Sequence, residues 1–569
     1  MSRTSIVRRI LPIAIIAAAI GLSLLFPARG PISGVSVACA YGYGGAPGVT
    51  GVSPNAGDIA GGTTVIVTGC GFTGATAVKF GTTAGTGLTV DSSTQITITS
   101  PAHAAGAVDV TVTTPAGTSA TSAADTYTFV SVVPTAACTT AQNSLTGSNG
   151  STWTTLDSGV AVTFTPTSTG VAVLGGNADL WTSTAGFNQD LGIMVSGTGF
   201  PTTAGQPEAW KESGGLNGTF SPNAAFVEAV IPVTASTTYT AKLVWKTNHA
   251  DSGTVFAGAG PVAGKFSQTC IDYRLIAAAD VLAKSSTSQY TNTNSDGATW
   301  SPVDATNLTA TMVAPADGVI LASENADLWT ETAGFNQDLG IKVGSAAQPA
   351  VWKESGGNGG TFSPNAAFGQ TAISVTASQS VTAELVWKAN HSGTSKIHAG
   401  AGPIGGSFSP TKLTLLFLPT ASAAIDKSSS TQYSLSGSDG ATWQTIDFSR
   451  LTISFTPTTT CEVILGGGAD LWTSKAGVNQ DLGIAVTDTS FPSVIGQPEG
   501  WKESGGKQGT FSPNAAYGQI HVVLTAGQSY TIQLVWKANQ STTGTIYAGA
   551  GPIAGSFSQT HLTMQPLGC

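Results

Sequence analysis

One long phrase, written three times, constrains this chain more than any other feature. Asn177-Ala-Asp-Leu-Trp-Thr, Asn188-Gln-Asp-Leu-Gly-Ile, Trp210-Lys-Glu-Ser-Gly-Gly, Gly218-Thr-Phe-Ser-Pro-Asn-Ala-Ala and Leu243-Val-Trp-Lys follow one another in order. The same words return around Asp327, Trp352 and Trp387, and again around Asp470, Trp501 and Trp536. Self-similarity at about 145 residues means one domain in three copies. All 12 tryptophans belong to it: Trp153, Trp181, Trp210 and Trp245 are matched by Trp300, Trp329, Trp352 and Trp387, then by Trp443, Trp472, Trp501 and Trp536. The third and fourth are 35 residues apart in every copy, whereas the second and third are 29, 23 and 29 apart. A six-residue loss is tolerated only where chain runs over the surface, so segment 197–208, shortened at 344–349, reads as a loop.

Within each copy the apolar residues alternate. Tyr239, Ala241, Leu243 and Trp245 interleave with Thr240, Lys242, Val244 and Lys246; Tyr530, Ile532, Leu534 and Trp536 do the same, as do Val160, Val162 and Phe164 and their counterparts Leu451, Ile453 and Phe455. Period two with one apolar face is a half-buried strand. Gly-rich turns such as Gly214-Gly215 and Gly258-Ala-Gly-Pro261 separate the runs. Each copy is expected to be an antiparallel β-sandwich, a jelly roll of about eight strands. The expected domains are 138–280, 281–424 and 425–569, with a Thr-, Ala- and Ser-rich link over 131–146.

The first 26 residues carry Arg3, Arg8 and Arg9 ahead of an apolar run from Ile10 to Phe26, with no acid. That is the layout of an export signal within 1–40, with Ala38-Cys39-Ala40 as a cleavage site; a retained N-terminal anchor is the alternative. Ser36-Val-Ala-Cys39 resembles a lipoprotein box except at position 36. Removing 1–40 removes four arginines and takes the formal charge from -9 to -13. An acidic chain without basic clusters is a poor partner for nucleic acid or anionic lipid, and a membrane contact is expected only through an uncleaved N-terminal segment. Export favours disulfides. Cys138 with Cys270 and Cys461 with Cys569 bracket the first and third copies, which leaves Cys70 alone; sequence proves no pairing.

Ahead of the copies run Val52-Ser-Pro-Asn-Ala-Gly, Gly61-Gly-Thr-Thr-Val-Ile-Val-Thr-Gly-Cys-Gly-Phe72, Ala77-Val-Lys-Phe-Gly81, Gln95-Ile-Thr-Ile-Thr and Val108-Asp-Val-Thr-Val-Thr-Thr-Pro-Ala-Gly117. Along 47–130 this pattern, closing at Tyr127 and Phe129, resembles an IPT/TIG domain, an immunoglobulin-like sandwich. The resemblance implies a spacer or interaction module and carries no catalytic residue onto this chain. The family's DNA-binding members use basic loops, whereas Lys79 is the only lysine or arginine here. The three copies look loosely like jelly-roll modules of secreted and phage-tail proteins, on pattern alone.

Charged residues are only 9% of the chain, so those kept in all three copies stand out. Asp179, Asp190, Lys211, Glu212 and Lys246 recur as Asp327, Asp338, Lys353, Glu354 and Lys388, then as Asp470, Asp481, Lys502, Glu503 and Lys537. One reading is a structural network of carboxylates and lysines locking loops together. A second is a polar pocket for a sugar, which needs directional hydrogen bonds and a flat aromatic face. It would use Asp179, Trp181, Asn188, Asp190, Trp210, Lys211 and Glu212; in copy 2 Asp327, Trp329, Asn336, Asp338, Trp352, Lys353 and Glu354; in copy 3 Asp470, Trp472, Asn479, Asp481, Trp501, Lys502 and Glu503. A third is calcium held by Asp179, Asn188 and Asp190, although their spacing matches no standard loop.

No catalytic residue, cofactor or metal is assigned. Three tandem copies of one glycosidase site would be unusual, no Ser or Cys nucleophile motif appears, and His249, matched by His391, becomes Gln540 in copy 3. The expected function is therefore non-enzymatic: an exported or surface-held binding protein that displays three sandwiches in series toward a polysaccharide or envelope component, gaining avidity from repetition. The alternatives are a self-associating structural component of an envelope layer or filament, and an accessory chain of a carbohydrate-active enzyme system.

Overall fold

The computed structural model describes residues 45–53, 55–58, 64–101, 103, 106–130, 135–184, 186–213, 223–250, 252–332, 334–355, 365–419, 424–488, 496–504, 514–567 and 569. The segment read as an export signal, the Gly214-Gly215 turn and the Gly218-Thr-Phe-Ser-Pro stretch lie outside them. Among the described residues the protein is all β, broken by a single turn of 3-10 helix, Ala278–Asp280, between the first and second copies. Among the described residues no helix is long and apolar enough to cross a membrane.

The N-terminal domain is a sandwich. Gly48–Ser53, Thr64–Cys70, Gln95–Thr99 and Thr86–Ser92 form one sheet; Ala56–Asp58, Thr126–Val130, Gly106–Thr114, Ala77–Phe80 and Thr83–Ala84 form the other, with Gly117–Thr118 beside Gly106–Thr114. Alternate residues point inward, so Val65, Val67, Ile96 and Ile98 meet Phe80, Val110, Val112, Tyr127 and Phe129 across a dry core. Cys70 is not left single: it is disulfide-bonded.

Each copy is also two packed sheets, in the same strand order three times. In copy 1 the 13-residue strand Gly170–Thr182 is the spine: Asn223–Val233 pairs along one edge, and Thr269–Ile276 and Thr254–Ala257 share the other. Ala136–Thr139 and Asn143–Thr146 complete this sheet. The stretch read as a link thus holds the first two strands; its Ala and Asn are weak strand formers, and pairing with Thr269–Ile276 and Thr254–Ala257 overrides propensity. A disulfide joins Cys138 to Cys270 directly across that ladder, and another joins Cys461 to Cys569. The second sheet contains Thr154–Thr155 and Ala161–Phe164 on one side of Tyr239–Thr247, then Gln189–Ser196 and Ala209–Ser213. Leu174, Leu180, Leu191, Ile193, Leu243 and Trp245 fill the space between sheets. Segment 197–208 runs over the surface, largely exposed up to position 205.

Parity explains what comes next. Along the spine Leu174, Ala178 and Leu180 face the copy's own core, so Asn177 and Asp179 face away from it, yet both are buried. A strand buried on both faces needs something on its second face. Here that something is another copy. Phe226, Phe368 and Tyr517, all pointing away from their own cores, meet at centroid distances of 4.4, 4.9 and 4.4 Å. Beside them Asn223 donates to Asn365, Asn365 to Asn514 and Asn514 back to Asn223, at 3.2, 3.1 and 3.2 Å. Ala366 of copy 2 packs on the core of copy 1, Ala515 of copy 3 on that of copy 2, and Ala224 of copy 1 on that of copy 3. The three copies are not strung in series. They close a ring about a pseudo-threefold axis, the geometry of a cyclic trimer written into one chain.

Candidate functional site

The ring has three seams, and the charges shared by the copies lie in them. At the seam of copies 1 and 2, Asp190 and Lys246 form an ion pair with side chains 1% exposed, and the ammonium lies 5.2 Å from the centre of the Trp153 ring. The Asn188 amide donates to the Glu212 carboxyl at 2.8 Å, and the Glu212 backbone N–H donates to Oδ2 of Asp327, in the next copy, at 3.0 Å. Lys211 donates across the same seam to the carbonyls of Pro410 and Asn325. The pattern turns through the ring: Glu354 N–H to Asp470 at 2.9 Å with Lys353 on the Gln559 carbonyl, then Glu503 N–H to Asp179 at 3.0 Å with Lys502 on the Gln268 carbonyl. Asp338 with Lys388 and Asp481 with Lys537 repeat the internal pair, and Asn336 and Asn479 repeat the amide donor.

The residues shared by the copies therefore bring to each seam three carboxyls, Asp190, Glu212 and Asp327 at the first, and two ammonium groups, Lys246 and Lys211. Burial, then the charge of Asp190, pushes the Glu212 carboxyl well above its ordinary range. Burial lifts Asp190 to about 6 against the pull of Lys246, and lowers Lys211 to about 8 against the pull of Asp327. Burial and the neighbouring carboxylates thus favour a proton on Glu212, which lessens the repulsion among the three carboxyls. The chemistry is that of a positioning device: directional bonds that admit one register between copies, closed to solvent.

The pocket and calcium readings grouped Asp179 with Asn188 and Asp190 of its own copy. The structure separates them: Asp179 serves the seam with copy 3, whereas Asn188, Asp190, Lys211 and Glu212 serve the seam with copy 2. All five are buried, 0 to 2% exposed. Among the described residues no group of three or more His, Cys, Asp or Glu side chains is arranged to hold a metal.

The tryptophans divide by place. Trp245, Trp387 and Trp536 are core. Trp210, Trp352 and Trp501 are seam residues: each lies under a Gly-cis-Pro turn of the next copy, Gly402-Pro403, Gly551-Pro552 and Gly260-Pro261 respectively. A Cβ on Gly260 would sit 2.9 Å from the Trp501 ring, so glycine is required by contact as well as by its φ of 106°. Trp181, Trp329 and Trp472 are half-buried and stack on Phe256, His398 and Tyr547 at 4.0, 3.9 and 3.9 Å.

Sequence reasoning missed the positions where the copies differ and the seams become individual. At the first seam Glu228 accepts from Thr414 at 2.6 Å and from Ser323 at 3.3 Å, and Lys412 donates to the Glu228 carbonyl. At the seam of copies 3 and 1, His521 pairs with Glu462 at 3.0 Å and Asp272 at 3.7 Å, while Thr135 of copy 1 donates to Glu462. Their alignment with unlike residues in the other copies was the available signal.

The family model for the IPT/TIG domain matches residues 47–129. Among curated proteins none matches the chain. Solved structures with some likeness include SGBP-B from a complex xyloglucan utilization locus in Bacteroides uniformis, 16% identical over 41% of this chain and 74% of that one, TM-score 0.14. Another is the surface glycan-binding protein PbSGBP-B from Prevotella bryantii, 10% identical over 66% of this chain and 99% of that one, TM-score 0.14. At such scores the likeness carries no argument about fold or function. The N-terminal sandwich, residues 47–129, is an IPT/TIG domain.

Proposed function

We propose that the protein is a non-enzymatic binding protein acting outside the cell, in which the IPT/TIG domain spaces a rigid three-copy head that attaches to a polysaccharide. The observation that carries this reading is ring closure. A head-to-tail interface either closes or polymerises; here it closes within one chain, through Glu212 to Asp327, Glu354 to Asp470 and Glu503 to Asp179. The surfaces that join copies are thereby used up, which favours attachment over self-assembly into a layer or filament. What remains outside is three related faces, rich in hydroxyl and amide groups, held in fixed relation. Fixed multiple sites suit a repetitive polymer, because the second contact is made at high effective concentration.

The test is a polysaccharide panel offered to the full mature chain, read by affinity electrophoresis alongside sedimentation velocity and product analysis. Retardation by at least one polymer, with a monomeric chain and no released sugars, is the expected result. Concentration-dependent assembly without ligand would replace this reading with the structural one, and hydrolysis would replace it with an enzyme.

A further inference from the structure

The seam that closes the ring, between copies 3 and 1, carries a surface cleft of about 40 Å³. One wall is the hairpin tip of copy 1, where Val262 and Lys265 exchange backbone bonds at 2.8 and 3.0 Å around Ala263, a non-glycine residue at φ 48°. The other wall is Gln497, Pro498, Glu499 and Trp501 of copy 3, with Glu499 the one carboxylate in the lining. Gln268 fastens the floor: its amide donates to the Glu499 carbonyl at 2.6 Å and its oxygen accepts from the Trp501 N–H at 3.0 Å. Phe266, half-buried, adds an aromatic surface.

The other two seams repeat this architecture with different residues. Lys265 is replaced by Ser407 and Ser556, and Gln268 by Pro410 and Gln559, while Phe408 and Phe557 keep the aromatic. Lys265 is thus the one lysine among the three tips. It is exposed, and no carboxylate among the described residues lies within ion-pair distance of it. The oxygen of Gln497 is occupied by the Trp443 indole N–H at 3.0 Å, which turns the amide nitrogen into a donor for something else. Two donors, one of them cationic, beside Phe266, Val262 and Pro498 describe a site for a ring with an apolar C–H face and an anionic edge.

We infer that this cleft binds the carboxylate edge of an acidic sugar residue, a hexuronate of a polysaccharide, with Lys265 taking the carboxylate, Gln497 a hydroxyl and Phe266 the C–H face. The inference rests on the attachment reading and assigns its site and ligand class. One wall comes from each end of the threefold repeat, so the site exists only in the closed ring and an occupied cleft holds copy 3 against copy 1. Such a ligand stabilises the ring by mass action.

The experiment compares polygalacturonate, alginate, a neutral glucan and dextran sulfate by calorimetry on the full chain, wild type, Lys265→Gln, Phe266→Ala and Ser407→Ala, with thermal unfolding of each. Expected are binding of a polyuronate in preference to the neutral glucan, a loss of at least tenfold in Lys265→Gln and Phe266→Ala with the fold intact, an unaltered Ser407→Ala control, and a higher Tm with ligand in the wild type only. Equal binding of dextran sulfate, or polyuronate binding indifferent to Lys265→Gln, overturns the assignment. Binding of a neutral glucan alone overturns this site and class while leaving the attachment reading standing; no binding to any polymer removes both.

Discussion

The backbone N–H of Glu212 and the carboxylate of Asp327 lie 115 residues apart in sequence and 3.0 Å apart in space. The bond joins one copy to the next, and its two equivalents join the remaining pairs. Asp327 also faces the Lys211 ammonium, whose charge counters the rise that burial causes in its carboxyl. Truncation as Asp327→Ala would leave Lys211 buried without the larger of its two counter-charges, Glu228 being the other, and breaking a buried pair from one side costs about 3–5 kcal/mol. Asp179→Ala and Asp470→Ala should cost about the same, because they stand in the same geometry. Urea unfolding of the full chain measures this, and a change within ordinary surface scatter in all three would deny the seams their role.

Gly260 faces Trp501 across the closing seam. Gly260→Ala meets two penalties: a contact at 2.9 Å with the indole and an L-residue at φ 106°. Each is typically worth about 1–3 kcal/mol, so a loss of about 2–6 kcal/mol is expected. Gly402→Ala and Gly551→Ala, against Trp210 and Trp352, should match it. An alanine at Gly147, which has φ 67° and nothing near its Cβ, separates the terms: it carries strain without a clash. Thermal unfolding of the four variants should rank Gly147→Ala mildest.

How far these contacts could be read from the sequence follows from strand parity. Alternation in Tyr239 to Lys246 locates a strand and its inward face, and repetition counts the copies. Parity also sends Asp179, Phe226 and Phe368 away from their own cores, and a lone sandwich would then expose them. Nothing local in a sequence says that an outward face is covered by a neighbour more than a hundred residues away. The clue was an incongruity: a large aromatic and scarce charges kept on the outward face in every copy, where hydroxyls would have served solvent better. The exchange of His249 and His391 for Gln540, which argued against catalysis, has a plain structural meaning as well. All three hold one loop carbonyl, that of Gly186, Gly334 and Gly477, at 3.3, 3.3 and 2.7 Å.

Copy 3 expressed alone, residues 425–569, would present Lys502, Glu503 and Asp470 to water with half their partners missing. The missing half is supplied by another copy 3, since Asp470 is the same acceptor that Glu503 finds in Asp179. Its axis-facing residues Tyr517 and Gln519 carry no charge at neutral pH, so three of them meet without repulsion. Analytical ultracentrifugation should find a trimer that dissociates with unfolding. A folded monomer at micromolar concentration would mean that the seams add little.

His521 gives the closing seam a pH dependence of known sign. Although burial opposes its charge, Asp272 and Glu462 raise its pKa to about 9 from an ordinary 6.5. The folded state therefore holds a proton that the unfolded chain releases above 6.5. The stability contributed is complete below 6.5 and is lost as pH rises toward 9. His561, buried and held well below 6.5, is neutral in both states over most of this range and adds no slope there. Buried Lys211, Lys412 and Lys502, each lowered to about 8, begin to act in the opposite sense near that pH, so the clean window is 6.5 to 8. The seam glutamates, raised by burial, add to the fall. The wild type should lose stability steadily from pH 6.5 to 8, and His521→Gln should be less stable at 6.5 and flatter across the window. Parallel slopes in the two proteins would show that the proton on His521 contributes nothing to holding copy 3 against copy 1.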